Sequence, residues 1–367
     1  MKLKLFIFFL IISAGVQAQI HQRIHLKDRT LIGIPIADID SITNVSGTKT
    51  IRFKDASAES LPINLIDSIT HAVPVSNNLY NLVSGIDSFS QFKTGVDVGG
   101  LNPFPYALSG NYTTLAVPNR ILTNYGINTA GLTPGTNNFV ISYHTLAGRF
   151  TTDDFPIGEN VKYFTTNIPA DSVFITKTPT NVYVNGVTVN ATATKRNISA
   201  SNGITHELRD FLFPPGDNIY DEITGGTGYD SIAKLIARAA LADANIINTL
   251  KTTVLTLMVP SNEAFATFLS ASGIGAINNL SSTQALNLLR DHMLINRKFF
   301  INLALNNTAG TPAYGGGLLR LALAPAGVPS PTGLVAYFIT SAAVVVDEVD
   351  YLQANGVIHK IGGILTK

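Results

Sequence analysis

The sequence predicts an α+β chain: two domain-sized copies of one unit behind a small β-rich repeat module. Three observations predict it. The phrase Ser201-Asn202-Gly203-Ile204-Thr205-His206 returns as Ala354-Asn355-Gly356-Val357-Ile358-His359, an offset of 153 residues (355 minus 202), about the size of one ordinary domain. Within the second copy, apolar residues recur at helical spacing early and form strand-like runs late, the pattern of helices packed on a sheet. Near the start, Ile24-His25-Leu26-Lys27-Asp28 returns as Ile51-Arg52-Phe53-Lys54-Asp55 at an offset of 27 (51 minus 24).

The chain opens with Lys2 and Lys4 ahead of an apolar run from Leu5 to Ile12, followed by Val16-Gln17-Ala18. This predicts a signal peptide over residues 1–18, cleaved before Gln19. No later stretch reaches the roughly 18 uninterrupted apolar residues of a membrane span, so no transmembrane segment is expected. The 367 residues include no cysteine, which excludes disulfides and a Cys-anchored lipid. An exported chain without disulfides points to a bacterial protein of the periplasm, the cell surface or the medium. Charged residues are 13% and the net charge is +1, with the basic residues scattered. That leaves no electrostatic footprint for nucleic acid or an anionic membrane. The Asn-x-Ser/Thr triplets at Asn111, Asn197 and Asn279 read as chance in an Asn-rich chain.

Residues 19–73 form the small module. Each repeat has an alternating strand, a polar turn, Pro35-Ile36 or Pro62-Ile63, and then Ile39-Asp40-Ser41-Ile42-Thr43 or Ile66-Asp67-Ser68-Ile69-Thr70. Two such units, stacked or paired, would bury the apolar face that one leaves wet. The linker Ala72-Val73-Pro74-Val75 leads into the first large copy, residues 74–214. There Val182 to Val189 reads as a hairpin on Asn185-Gly186, a dipeptide suited to a type I′ turn. Pro214-Pro215-Gly216 closes this copy.

The second copy, residues 215–367, starts with helices carrying Ile232, Leu235, Ile236, Ala239, Ile246, Ile247 and Leu250, with Asp230 or Ser231 as cap. Thr253 to Val259 reads as a buried strand. Pro260 stops it, and Ser261 caps a helix bearing Phe265, Phe268 and Leu269. Ser281 or Ser282 caps the next. Ala313 to Pro331, rich in Gly and Pro, is expected to be loop, and Tyr337 to Val346 one strand. Asn202-Gly203 and Asn355-Gly356 are expected to be turns whose glycine adopts a backbone conformation that penalises a side chain.

Further pairs recur between the copies: Val117-Pro118-Asn119 with Val259-Pro260-Ser261-Asn262, Tyr143-His144-Thr145-Leu146 with Asp291-His292-Met293-Leu294, Asn78-Leu79-Tyr80 with Asn218-Ile219-Tyr220, and Asp87-Ser88 with Asp230-Ser231. None is a catalytic signature. There is no Gly-x-Ser-x-Gly and no phosphate loop. Gly225-Gly226-Thr227-Gly228 lacks a preceding strand, and His206-Glu207-Leu208-Arg209-Asp210 lacks the second histidine of a zinc motif. No catalytic, cofactor-binding or metal-ligating residue is therefore expected. The recurring histidines His144, His206, His292 and His359 could in principle ligate a metal or move protons. No carboxylate recurs beside them, however, so they are expected to bond backbone or the Asn of the Val-Pro-(Ser)-Asn turn, tying helix to sheet.

An apolar strand, Val-Pro-(Ser)-Asn opening a helix, (Tyr)-His-x-Leu, and Asn-Gly-x-x-His before a closing strand together resemble the fasciclin-like domain. The resemblance covers roughly residues 75 to 367. It is closest at Leu257 to Phe265 and Asn355 to His359, while the first copy lacks one residue in its Val-Pro-Asn segment. It implies helices on a β-sheet or wedge, no enzymatic activity and no cofactor. It also implies adhesion or binding at a cell surface or matrix, with a protein or glycan as partner. In related domains the (Tyr)-His region is linked to partner binding, which brings forward Tyr143, His144 and His292. Pro118, Asn119, Asn202, Gly203, His206, Pro260, Asn262, Asn355, Gly356 and His359 are then the residues of the structural motif. A glycan-binding accessory protein of the bacterial envelope is the alternative, and a hydrolase with an unrecognised site the third. Arg-Gly-Asp is absent. The divergent polar loops Asn102 to Gly110 and Asn306 to Gly317 are where a specific surface is expected. Doubling a binding module raises avidity, with each copy folding by itself.

Overall fold

The computed structural model describes residues 21–27, 31–35, 39–54, 56–72, 78–101, 111–166, 171–306, 309–324, 330, 332, 334–338 and 342–367. The expected signal peptide, the linker after Ala72 and the loop Asn102 to Gly110 lie outside these residues.

In the small module, β1 (His21–Leu26), β2 (Leu31–Pro35), β3 (Ile39–Val45), β4 (Thr48–Phe53), β5 (Ala58–Pro62) and β6 (Ile66–Ala72) make two antiparallel sheets, β2-β1-β6 and β3-β4-β5. Each sheet takes its third strand from the other repeat. The reason lies at Ser46-Gly47, with φ of 50° and 77°, a two-residue turn that pairs Val45 with Thr48. This tight hairpin straddles the repeat boundary and forces β3 onto β4. Ile24, Ile51 and Leu61 form the core between the sheets, with Ile39, Ile66 and Ile69 packed against it.

The first large unit comprises α1 (Leu79–Ser84), α2 (Ser90–Val98), β7 (Tyr112–Ala116), α3 (Asn119–Asn124), α4 (Pro134–Tyr143), β8 (Thr145–Ala147), β9 (Gly158–Phe164), β10 (Ser172–Lys177), β11 (Val182–Val184), β12 (Val187–Thr188), β13 (Ile198–Ala200) and β14 (Gly203–Glu207). Its sheets, β13-β14-β7-β8 and β12-β11-β10-β9, are joined by the bridges Leu146 to Thr165 and Val189 to Leu208. The Asn185-Gly186 hairpin is as expected, with φ of 47° and 84° and Val184 opposite Val187.

The second unit comprises α5 (Ile219–Gly225), α6 (Asp230–Ala240), α7 (Asn245–Thr252), β15 (Leu255–Pro260), α8 (Asn262–Ala271), α9 (Ser282–Asp291), β16 (Met293–Ile295), α10 (Phe300–Leu305), β17 (Thr311–Pro312), β18 (Leu318–Leu323), β19 (Leu334–Phe338), β20 (Val344–Gln353) and β21 (Gly356–Ile361). Its sheet runs β16-β15-β21-β20-β19-β18-β17, and a bridge from Leu294 to Ala313 brings its two ends together. Such closure removes the open edges on which sheets aggregate.

In both units the strand after Asn-Gly lies parallel to the strand before Val-Pro, β14 on β7 and β21 on β15. All six residues of β15 are buried because it faces two cores. Leu255, Leu257 and Val259 meet the helices, whereas Met258 faces the strand side with Leu319, Phe338 and Ile361. A strand buried on both faces reads as an unbroken apolar run.

Two expectations are corrected. Ala313 to Pro331 is not all loop: Leu318–Leu323 is a strand in which Leu319 and Leu321 point inward. Tyr337 to Val346 is not one strand but the end of β19 and the start of the antiparallel β20. Within the stretch Asn306 to Gly317, residues 311–314 are anchored by β17, the Ala313 bridge and the bond from the Tyr314 N–H to the Met293 carbonyl. Ser261 and Ser281 cap α8 and α9 as expected, the latter through a capping box with Gln284.

Candidate functional site

The repeated residues form three bonded clusters, each present in both units. In the first, the Asn of Asn-Gly caps a helix distant in sequence. Asn202 Oδ1 accepts from the Leu79 N–H at 2.7 Å, and Asn355 Oδ1 from the Ile219 N–H at 2.9 Å. Asn355 Nδ2 also donates to the carbonyls of Leu250 and Thr253, both at 2.9 Å. These bonds satisfy helix-end groups that would otherwise be orphaned.

Neither glycine of these dipeptides has a positive φ, which corrects the expected reason for it. Gly203 and Gly356 are the first residues of β14 and β21. A Cβ on Gly356 would overlap the Leu255 carbonyl oxygen and lie 2.7 Å from Ile219 Cδ1. On Gly203 it would overlap the Tyr112 carbonyl oxygen and lie 2.8 Å from Leu79 Cδ1. Close approach of strand and helix requires the glycine, not turn geometry.

In the second cluster, Pro260 ends β15 and Pro118 follows β7 by two residues, and the next Asn reaches across to another helix. Asn262 Oδ1 accepts from the Ser231 N–H, and Asn119 Oδ1 from the Gln91 N–H, both at 2.9 Å. The cap of α6 is therefore Asn262 and not the side chain of Asp230 or Ser231. The equivalence also shifts: Ser90-Gln91, not Asp87-Ser88, corresponds to Asp230-Ser231.

The third cluster holds the histidines, all four 0% exposed. His144 and His292 are held through Nδ1 by the carbonyls of Val140 and Leu288, at 2.9 and 2.8 Å, and through Nε2 by the N–H groups of Leu212 and Leu365. A carbonyl only accepts and an N–H only donates, so both rings carry their proton on Nδ1. His206 and His359 are the reverse. Their Nε2–H donates to the carbonyls of Phe150 and Lys298, and Nδ1 accepts from the N–H groups of Asn197 and Asp350. The first pair ties helix end to terminal segment, and the second ties the closing strand to a neighbouring chain reversal. None bonds the Asn of the Val-Pro-(Ser)-Asn turn.

Sequence reasoning missed the partners of the second pair. Asn197 and Asp350 both have left-handed backbone, φ 55° and 66°. Their side chains accept from the N–H groups of Thr152 and Phe300. The same 153-residue offset would have found them. Asn197 also donates to Thr152 Oγ1, so its Asn-x-Ser triplet is built into this contact.

Burial pushes each of the four imidazoles down from 6.5 to about 4. A pKa depressed on folding contributes stability that is complete above about 6.5 and is lost as pH falls toward 4. Four such groups outweigh Asp350, the carboxyl that burial raises to about 7. The melting temperature is expected to fall by roughly 10 °C or more between pH 7 and 4.5, a shift that calorimetry reads directly.

Tyr143 is 0% exposed, and its hydroxyl donates to the Ser172 carbonyl and accepts from Asn185 Nδ2. Tyr143, His144 and His292 thus present no side-chain surface to a partner. Among the described residues no group of three or more His, Asp or Glu is placed to hold a metal ion, and no helix is long and apolar enough to cross a membrane.

The two large units meet along a seam. Asn160 Nδ2 donates to the Arg297 carbonyl at 2.6 Å, and Asn302 Nδ2 to Thr176 Oγ1 at 2.9 Å. Lys298 pairs with Glu159 at 2.8 Å, while the Arg297 guanidinium lies 3.9 Å from the centroid of the Phe174 ring. Phe299, Leu352 and Val357 are buried there with Phe174 and Ile301 against them. Each unit has its own core, but the expectation that each copy folds by itself meets a shared surface in which Phe299 and Asn302 are fully buried.

Outside these clusters, Tyr125 and Phe213 stand 48% and 53% exposed with ring centroids 5.2 Å apart, edge to face. Phe211 backs Phe213 at 4.9 Å.

Comparison with known families matches the Fasciclin domain to residues 88–214 and again to residues 235–367, together well over half of the chain. Comparison with curated proteins finds no match. Among solved structures, a FAS1 domain pair from the insect cell adhesion molecule fasciclin I is similar at 16% identity. That match covers 76% of this chain and 96% of that one, with a TM-score of 0.36.

Proposed function

Because the chain belongs to the fasciclin domain family, carrying two tandem copies of that domain, we propose that it is an exported, non-enzymatic binding protein acting at a cell surface or in extracellular matrix. The observation that carries this reading is the commitment of the repeated polar residues. All four recurrent histidines spend both ring nitrogens on backbone groups. The recurrent asparagines hold helix ends. A set so fully bonded has no group left for turnover and serves to display a surface. The two units are taken as residues 74–214 and 215–367, and the partner as a protein or a glycan.

The exposed pair Tyr125 and Phe213 is the surface assigned to the partner. Aromatic side chains add large contact area at small entropic cost and are enriched where binding energy concentrates. Binding of the intact chain to arrays of polysaccharides and of matrix proteins tests the reading. Saturable binding to either supports it, and turnover of a polysaccharide or protein substrate that survives loss of all four histidines would replace it with an enzyme.

Export follows from the charged start and short apolar core, with a bacterial envelope as the setting. The secreted chain is expected to begin at Gln19, which mass spectrometry of its N-terminus checks. A secreted chain still carrying Met1 contradicts it.

A further inference from the structure

We propose that Asp350 is an acid-strengthened latch between the two large units: uncharged, it seals the seam, and ionised, it loosens it. Asp350 has a counterpart in the first unit. Asp350 occupies the position of Asn197, with the same left-handed backbone and with His359, the counterpart of His206, accepting its N–H. Its Oδ1 accepts from the Phe300 N–H at 2.6 Å, as Asn197 Oδ1 accepts from Thr152. A neutral side chain of this shape therefore satisfies the clamp, and the carboxylate is not needed for it.

The two residues differ in location. Asn197 works inside its own unit, whereas Asp350 Oδ2 is packed against Gly186 at the tip of the β11–β12 hairpin of the other unit. A Cβ on Gly186 would overlap that oxygen and lie 2.7 Å from Asp350 Cγ. The charged groups around it give no compensation. From β21, His359 Nδ1 stands 3.9 Å from Oδ1, but that imidazole is neutral and uses Nδ1 as an acceptor. From α10 comes only the Phe300 N–H, and from the hairpin only Gly186. The cations of the seam are held elsewhere, Lys298 by Glu159 and Arg297 over Phe174 with a bond to the Ala354 carbonyl. On β20 itself, Glu348 is paired with Lys360.

A carboxylate closed into a domain contact without a cation loses hydration and gains no ion pair. Burial accordingly raises the Asp350 carboxyl from 3.8 to about 7. A pKa raised on closure contributes stability that is complete below about 3.8 and is lost as pH rises through 7. The side chain keeps 18% exposure, so its proton exchanges with solvent while the seam stays formed. Acidification then draws the two units together, and mildly alkaline conditions release them.

The test uses the full chain and Asp350→Asn, which installs the residue that already serves at position 197. Amide exchange of residues 296–302 and small-angle scattering are measured at pH 5.5 and 8, with the variant at each pH as the reference for intrinsic exchange. Relative to the variant, wild-type exchange at the seam is expected to rise by about tenfold or more between the two pH values, and wild type alone should expand at pH 8. Asn197→Asp, away from the seam, should leave the pH dependence of scattering unchanged. Equal exchange ratios at both pH values, or equal expansion of wild type and Asp350→Asn, overturns the latch. Global melting of Asp350→Asn below wild type at pH 8 overturns it as well, because removal of an uncompensated charge must not destabilise the closed form.

Discussion

Gly356→Val is expected to cost the second fasciclin domain about 4 kcal/mol, beyond the roughly 1–3 kcal/mol of ordinary overpacking. The collision is with backbone. A Cβ at this position overlaps the Leu255 carbonyl oxygen, which belongs to the strand that pairs with β21 in parallel register. Nor can the chain swing away. Ile219 Cδ1 blocks one side, and the N–H of Ile219 is fixed by Asn355 Oδ1. Relief requires opening the β15–β21 pair or pulling α5 off the sheet, and either exposes the central core. Thermal unfolding of the full chain checks this, with Gly356→Ala expected between valine and wild type. A melting temperature unchanged by valine would mean that the strands do not approach as described.

His359→Ala is expected to destabilise the same domain by about 3 kcal/mol or more. The ring is fully buried, and its removal leaves the Asp350 N–H without an acceptor and the Lys298 carbonyl without a donor. Each buried orphan costs about 1–3 kcal/mol, and the cavity adds to it. Urea unfolding measures the loss. Binding should decline only as far as the domain unfolds, since no atom of this histidine reaches the surface. His292→Ala should behave alike through Leu288 and Leu365.

Features governed by local chemistry were legible in the sequence. The Asn185-Gly186 hairpin and the Ser261 and Ser281 caps depend on neighbours within a few residues, and β15 shows itself as an unbroken apolar run. What escaped was tertiary in origin. Gly203 and Gly356 were recognised as necessary, but the local rule of positive φ supplied the wrong cause, because the obstructing carbonyl belongs to a strand about 90 to 100 residues away in the sequence. The cap of α6 comes from Asn262, 31 residues downstream, where a local reading looks only to Asp230 and Ser231. The strand exchange in the small module is set by a turn that joins the repeats, so two repeats that look self-contained interlock. Composition misled at Leu318–Leu323, where surrounding Gly and Pro obscured a clear alternation. The Asn197 and Asp350 pair was overlooked because the two residues differ in charge while sharing shape.

On the proposed reading, buried motif residues hold the fold while the exposed aromatics Tyr125 and Phe213 engage the partner. The direct test is the dissociation constant of the intact chain for whichever array ligand it binds. Wild type is compared with Tyr125→Ala/Phe213→Ala and with His359→Ala, each alongside its melting temperature. The aromatic double variant should lose about tenfold or more in affinity, the scale of one interface anchor, while melting within a few degrees of wild type. His359→Ala should melt far lower yet bind normally where it remains folded. Full affinity in the aromatic variant, together with lost binding in a His359→Ala chain that melts like wild type, would make the histidines a working site and rule out the aromatic surface.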